Sequence, residues 1–189
     1  RETTDNQLVW RTPWGYNREE NRLRTYPLVV FGPHKEATLY FTEAIRKRFP
    51  AFYFDYGKDG VPAGETLSAF IDARMQVQGY RIDLNRIYLT GWSQGGSGAY
   101  KTIQGFLNRG KCFAALIRIA GQSNSVLPSG AMDKIAISMH IGLEDTATRV
   151  QVSRALYAYL LDHPSNADAD ETVLNEPAFG RTTKVLSRN

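Results

Sequence analysis

The 189-residue sequence has little cysteine, little histidine and no long apolar run. Its one cysteine, Cys112, excludes a disulfide within the chain, and its place beside the apolar run FAALI is typical of a buried structural thiol. No apolar run reaches the roughly 20 residues that a membrane-spanning helix needs. The first residues, RETTDNQ, contain neither an initiator methionine nor a signal-peptide pattern, as we expect of a processed chain.

The charge and composition are those of an ordinary globular domain. The formal net charge is +4 at pH 7, and 42% of the residues are hydrophobic. Basic residues are scattered rather than interleaved with aromatics along a stripe, which disfavours nucleic acid as a partner. We expect residues 1–189 to form a single domain that is large enough to bury a core. This domain is incomplete if loops or a C-terminal part are missing from the sequence.

Short apolar segments alternate with segments of helical periodicity. Strands are predicted at 26–31, 51–54, 86–91, 113–121, 134–142 and 182–186, helices at 37–49, 66–78, 95–108 and 149–161, and an acidic loop at 163–171. Because the strands are apolar on both faces, the α/β pattern predicts a mostly parallel sheet with helices on both faces. Ligands of such sheets bind beyond the carboxyl ends of the strands, which directs attention to the residues that follow them.

Ser93 follows one of these strand ends, in the segment TGWSQGGSGA. Gly91-Trp92-Ser93-Gln94-Gly95 lies between a strand and a helix, which is the arrangement of a nucleophile elbow. We expect glycine two residues before and after the serine because a Cβ there would collide with the neighbouring strand and helix. Ser93 is therefore the candidate nucleophile, and the Gln94 N–H at the helix start is a candidate oxyanion donor.

Four segments carry a family resemblance: YPLVVF, ETLSAFID, RIDLNRIYLTGWSQGG, and GLEDT followed by RVQVSRALYAYL. They resemble serine esterases of the polyhydroxybutyrate-depolymerase and feruloyl-esterase kind, over about residues 26–161. The resemblance implies an α/β-hydrolase fold and hydrolysis of carboxylic esters through an acyl-serine, acting on small-molecule or polymer-linked esters that it does not specify. It also implies export, so we expect a secreted or periplasmic protein, with a cytoplasmic location left open.

The candidate acid is Asp145, in the segment GLED after a predicted strand. It matches the family's G-x-x-D and follows the serine, as the acid does in this fold. Its expected role is to orient an imidazole and stabilise the cation that forms. Two alternatives stay open: Asp145 only caps the following helix, or the neighbouring Glu144, which we expect to face solvent, is the acid.

The loop after the strand at 26–31 supplies a second oxyanion donor in the resembling family. That role falls on Gly32 in this sequence, and His34 in the same loop, FGPH, is a candidate for lining the site. Trp92, beside the nucleophile, is a second candidate for lining it, by shaping an acyl or aryl pocket, although core packing would equally explain an aromatic residue there.

The base that must activate Ser93 is unknown from the sequence. The expected chain order is serine, acid, histidine, and only His163 follows Asp145, at the end of a predicted helix. His140 falls inside a predicted strand, where a core or edge histidine is the more common interpretation. The favoured explanation is that the base lies outside these 189 residues; the alternatives are His163 from an unusual position, or an inactive binding module on the same scaffold.

Two further expectations concern chemistry. No histidine and carboxylate pair has the spacing of a metal site such as H-E-x-x-H, so we expect no metal and no organic cofactor. A serine peptidase uses the same parts as an esterase, because acyl transfer to water from an amide also needs a nucleophile, a base and an oxyanion hole. The sequence therefore does not separate these two activities.

Overall fold

The computed structural model describes residues 2–5, 8–32, 43–55, 64–122, 134–142, 144–161, 170–176 and 181–187. Nine strands run through this part of the chain: β1 Glu2–Asp5, β2 Leu8–Arg11, β3 Tyr26–Phe31, β4 Phe52–Asp55, β5 Ile82–Trp92, β6 Ala115–Ile119, β7 Ala136–Gly142, β8 Asp170–Glu176 and β9 Arg181–Ser187. The α-helices are α1 Glu43–Arg48, α2 Gly64–Gln78, α3 Gln94–Asn108 and α4 Ala147–Leu161, with a 3₁₀ turn at Glu19–Asn21. None of these helices is long and apolar enough to span a membrane.

All nine strands belong to one sheet, in the order β1-β2-β4-β3-β5-β6-β7-β9-β8. The five central strands, β3 to β7, are parallel, and the strands at either edge pair antiparallel. The predicted mostly parallel sheet flanked by helices is confirmed. The loop predicted at 163–171 is wrong at its end, because β8 begins at Asp170.

The larger hydrophobic core lies on one face of the sheet. Leu28 and Val30 alternate with more exposed neighbours along β3 and are fully buried on this face. Helix α2 adds Leu67 and Ile71, four residues apart on one side of the helix, and α3 adds Phe106. A smaller cluster, Phe31, Ala51 and Tyr53, packs separately on the other face. Burial of these side chains fixes α2 and α3 against the strands that lead to Ser93.

Helices α2 and α3 cross with their backbones in contact. A Cβ added to Gly105 would lie 2.5 Å from the Gly64 nitrogen and 2.7 Å from the Glu65 nitrogen, and one added to Gly64 would overlap the Thr102 carbonyl oxygen. Only glycine allows this approach, because the Glu65 side chain could move aside but the backbone atoms of Gly64, Glu65 and Thr102 could not. The crossing holds α3, and with it the helix start at Ser93, at a fixed distance from the rest of the core.

We expect Gly105→Ala to lower the free energy of unfolding by about 1–3 kcal/mol, because the new methyl group meets backbone atoms. Urea denaturation measures this effect. Gln104→Ala, at the exposed neighbouring position of α3, serves as the control and should change stability by less than about 0.5 kcal/mol. Equal stability of Gly105→Ala and the parent protein would show that the two helices do not cross this closely.

Candidate active site

Ser93 occupies a sharp turn between the end of β5 and the start of α3. Its backbone has φ 54° and ψ −115°, and only Ala120 shares a positive φ among the described non-glycine residues. Such a conformation costs of order 1–3 kcal/mol and persists only where its surroundings enforce it. Here the Ser93 N–H donates to the Ile119 carbonyl at 2.9 Å, which ties the turn to the end of β6.

The glycines around Ser93 are explained by close backbone contacts. A Cβ on Gly91 would overlap the Gly95 carbonyl, and a Cβ on Gly95 would lie 2.9 Å from the Gly32 carbonyl carbon. The predicted steric clash of a Cβ two residues before or after Ser93 is therefore confirmed. The ends of β5 and β3 and the start of α3 come together at glycines, which have no side chain to separate them.

Ser97 supports the turn from inside α3, a role that the sequence analysis missed. Its hydroxyl donates to the Ser93 carbonyl at 3.1 Å and accepts the Gln122 N–H at 2.6 Å. The hydroxyl thus links the turn to the segment that follows β6. The available signal was the spacing of four residues from Ser93, which places Ser97 one helical turn further on.

Arg149 joins the candidate nucleophile to the candidate acid. Its Nη2 donates to the Ser93 Oγ at 3.4 Å, and its Nη1 lies 3.4 Å from the Asp145 Oδ1. Sequence reasoning missed this residue, although its position four residues after Asp145 predicts a helical ion pair. The structure therefore brings Ser93 and Asp145 into one cluster through a guanidinium group rather than through an imidazole.

Asp145 also holds the start of α4. Its Oδ1 accepts the Thr146 N–H at 2.7 Å, and its own N–H donates to the Gly142 carbonyl at 3.0 Å. These two bonds fix Asp145 at the carboxyl end of β7. The bond from the Thr146 N–H is of the kind expected if Asp145 caps the helix. Glu144 is exposed, as expected.

One of the two oxyanion candidates, Gly32, donates its N–H to another backbone group. The Gly32 N–H donates to the Thr90 carbonyl at 2.7 Å, as the last bond between β3 and β5, so it is already used within the sheet. The next residue, Pro33, has no N–H to offer. The Gln94 N–H remains the oxyanion candidate, because it is at the first position of α3 and the first N–H groups of a helix have no acceptor within the helix.

A cavity of about 490 Å³ opens beside this cluster, at the carboxyl ends of β5, β6 and β7. The residues that line it are Trp92, Ile119, Ala120, His140, Ile141, Gly142, Glu144 and Asp145. Trp92, Ile119 and His140 are register partners on adjacent strands, so their side chains share one face of the sheet. The cavity is where a parallel α/β sheet normally binds its ligand.

His140 lines this cavity but contacts neither Ser93 nor Asp145 through a hydrogen bond in the described part of the structure. Its Nε2 lies 2.9 Å from the Ser138 Oγ. Burial lowers the pKa of the imidazole below its usual value of 6.5, so it is neutral at neutral pH. The other two histidines, His34 and His163, lie outside the described residues.

Within the described residues, no group of three or more His, Cys, Asp or Glu side chains is arranged to hold a metal ion. The cluster at Ser93 offers one carboxylate that is already paired with Arg149. The groups that the described residues bring together here are a hydroxyl, a carboxylate and a guanidinium, beside the N–H groups at the start of α3.

The whole fold is similar to those of esterases of known structure. A thermostable esterase superposes with a TM-score of 0.58 at 22% identity, covering 86% of this chain and 51% of the esterase. A protein of Lactobacillus plantarum WCFS1, named as a candidate carboxylesterase, gives a TM-score of 0.58 at 16% identity, covering 87% of this chain and 82% of that protein. No protein-family model and no curated protein matches the sequence.

The fold is accordingly the α/β-hydrolase fold. This chain spans about half the length of the thermostable esterase and most of the length of the Lactobacillus protein. At these identities the similarity establishes the architecture, and the activity has to be argued from the site.

The environment of His140 can be tested by titration. We expect the NMR resonance that disappears in His140→Gln to titrate with a pKa below 6.5, because burial disfavours the imidazolium. Since the unfolded chain takes up this proton first, His140 should also reduce stability as the pH falls below 6.5. A midpoint at or above 6.5 would contradict a half-buried, neutral imidazole in the cavity wall.

Proposed function

We propose that this protein is a serine hydrolase that cleaves carboxylic esters through an acyl intermediate on Ser93. The observation that carries the proposal is the strained backbone of Ser93 at a strand-to-helix junction, with its neighbour Trp92 in the wall of an open cavity. Strain of this kind is retained where a site needs a hydroxyl lifted clear of the sheet. The esterase names of the structural neighbours support ester hydrolysis as the reaction class.

In the proposed reaction the Ser93 Oγ attacks the ester carbonyl carbon while a base removes its proton. The Gln94 N–H, at the positive end of the α3 dipole, stabilises the oxyanion of the tetrahedral intermediate. That intermediate collapses to an acyl-serine and releases the alcohol, and water then hydrolyses the acyl-serine. Asp145 orients the base and balances its charge.

Arg149 cannot be the base, because a guanidinium group offers only N–H donors and has no acceptor atom. Its positive charge beside the Ser93 Oγ favours the alkoxide that forms as the proton leaves. A separate imidazole is needed, and we propose that it comes from outside the described residues and approaches both Ser93 and Asp145.

The second candidate function is a non-catalytic binding module on the same fold. One observation favours it: among the described residues, the hydrogen-bond partner of the Ser93 hydroxyl is a guanidinium and not an imidazole. A binding module would have no reason to maintain the strained turn, which weighs against it. Peptide hydrolysis is a variant of the first proposal and uses the same groups.

A fluorophosphonate probe reacts with activated serines and tests the proposal directly. In the full-length protein we expect labelling at Ser93, found by peptide mass spectrometry, and hydrolysis of p-nitrophenyl butyrate. Ser93→Ala should abolish labelling and reduce turnover by at least about 10⁴-fold, since it removes the nucleophile. Asp145→Asn should also reduce turnover strongly, by leaving the base misoriented.

The chain offers a matched control in Ser138, a second serine hydroxyl that lies beside an imidazole. Ser138→Ala should retain labelling at Ser93. The proposal fails if the probe attaches to Ser138, or if the full-length protein hydrolyses no short acyl ester and its Ser93 stays unlabelled. The latter result would leave the binding module as the better description.

A further inference from the structure

The net charge of the chain is concentrated in two short segments. Residues 14–24 and 46–49 carry six cationic and two acidic side chains, so their net charge of +4 equals that of the whole sequence. The two carboxylates, Glu19 and Glu20, lie beside Arg22 and Arg18 at 3.0 Å and 3.9 Å. The remainder of the chain is electrically balanced.

The fold brings these two segments together at the end of the sheet opposite Ser93. Arg11, the last residue of β2, pairs with Tyr53 near the start of β4. The residues that follow β2 therefore lie near the amino end of β4. Phe49 lies three residues before β4, and Leu23 lies three residues before β3, which runs parallel to β4. Both segments therefore lie at the amino ends of the parallel strands.

Three large apolar side chains protrude among these cations. Trp14 is 42% exposed, Phe49 59% and Leu23 86%. The Lys47 ammonium lies 4.5 Å from the centre of the Trp14 ring, and the Arg48 guanidinium lies 5.7 Å from that of Phe49. We define the amino-end rim as Trp14, Leu23, Arg24, Lys47, Arg48 and Phe49.

This combination distinguishes between two kinds of anionic partner. A nucleic acid would use the cations and could stack its bases on Trp14 and Phe49, but an aliphatic side chain such as Leu23 provides no stacking surface. A bilayer with anionic headgroups attracts the cations and also accepts aromatic and aliphatic side chains at the level of the acyl chains. A surface on which basic side chains surround exposed apolar side chains fits a lipid bilayer better than a partner that offers only negative charge.

We propose that the amino-end rim docks this protein on phospholipid surfaces that carry negative charge. Lys47, Arg48 and Arg24 meet the headgroups, and Trp14, Leu23 and Phe49 enter the interface. Because Ser93 and its cavity lie at the carboxyl ends of the parallel strands, at the opposite edge of the same sheet, the cavity faces away from the lipid in this arrangement. The proposal does not depend on catalysis by Ser93.

Co-sedimentation with vesicles tests the proposal. The full-length protein should bind vesicles of equal parts phosphatidylcholine and phosphatidylglycerol, and bind less with added salt. Lys47→Gln combined with Arg48→Gln should weaken binding by about 30-fold, from two lost headgroup contacts. The control, Lys101→Gln with Arg154→Gln, removes the same charge at exposed positions of α3 and α4 and should bind like the parent.

The apolar contribution is tested with Leu23→Ser, at a position too exposed for the change to affect folding. We expect it to weaken vesicle binding by about 10-fold and to leave circular dichroism unchanged. The proposal is overturned by any of three results: no binding to the anionic vesicles, equal binding of the rim and control variants, or binding to single-stranded DNA with none to vesicles.

Discussion

The meeting of three backbones at Gly32, Gly91 and Gly95 is the constraint on which the candidate site depends. A methyl group at any of these positions would lie within 3 Å of another backbone atom. The chain can therefore bring β3, β5 and α3 this close together only with glycine at these positions. The approach forces the chain to turn within one residue, and that residue is Ser93. The strain at Ser93, the direction of α3 and the position of the cavity all follow from this contact.

A second interaction connects the turn to the other end of the site. Arg149 contacts both the Ser93 hydroxyl and the Asp145 carboxylate, while Asp145 also accepts a backbone N–H at the start of α4. The site is therefore electrostatically ordered although no described imidazole forms a hydrogen bond with Ser93 or Asp145. A base that approached Ser93 and Asp145 would compete with Arg149 for both groups, and the guanidinium would then be free to face substrate.

Much of this arrangement could be predicted from the sequence because it depends on local patterns. The alternation of apolar segments with helical periodicity determines the parallel centre of the sheet, and the glycine spacing around Ser93 follows from sterics within five residues. Contacts between distant residues were not predictable. Arg149 lies 56 residues from Ser93, Trp14 lies 33 residues from Lys47, and no local pattern indicates either contact.

The hydrogen bond of the Gly32 N–H, which weighs against its predicted oxyanion role, could not be predicted for a related reason. A glycine at the end of a strand is a reasonable oxyanion donor until the sheet register is known, and the register gives its N–H to Thr90. Three of the antiparallel edge strands, β1, β2 and β8, were missed because their short, mixed segments lack the apolar runs that indicated the central strands, whereas β9 was predicted at 182–186. The proposed role of Ser93 as the nucleophile depends on neither point, since it rests on the strained turn itself.

A crystal structure of the protein after reaction with a small fluorophosphonate would test the central claim most directly. The account predicts a covalent bond from the Ser93 Oγ to phosphorus, with the phosphonyl oxygen about 2.7–3.1 Å from the Gln94 nitrogen. It also predicts that the turn keeps its positive φ in the adduct. A phosphonyl oxygen directed away from the start of α3, or a relaxed backbone at Ser93, would contradict it.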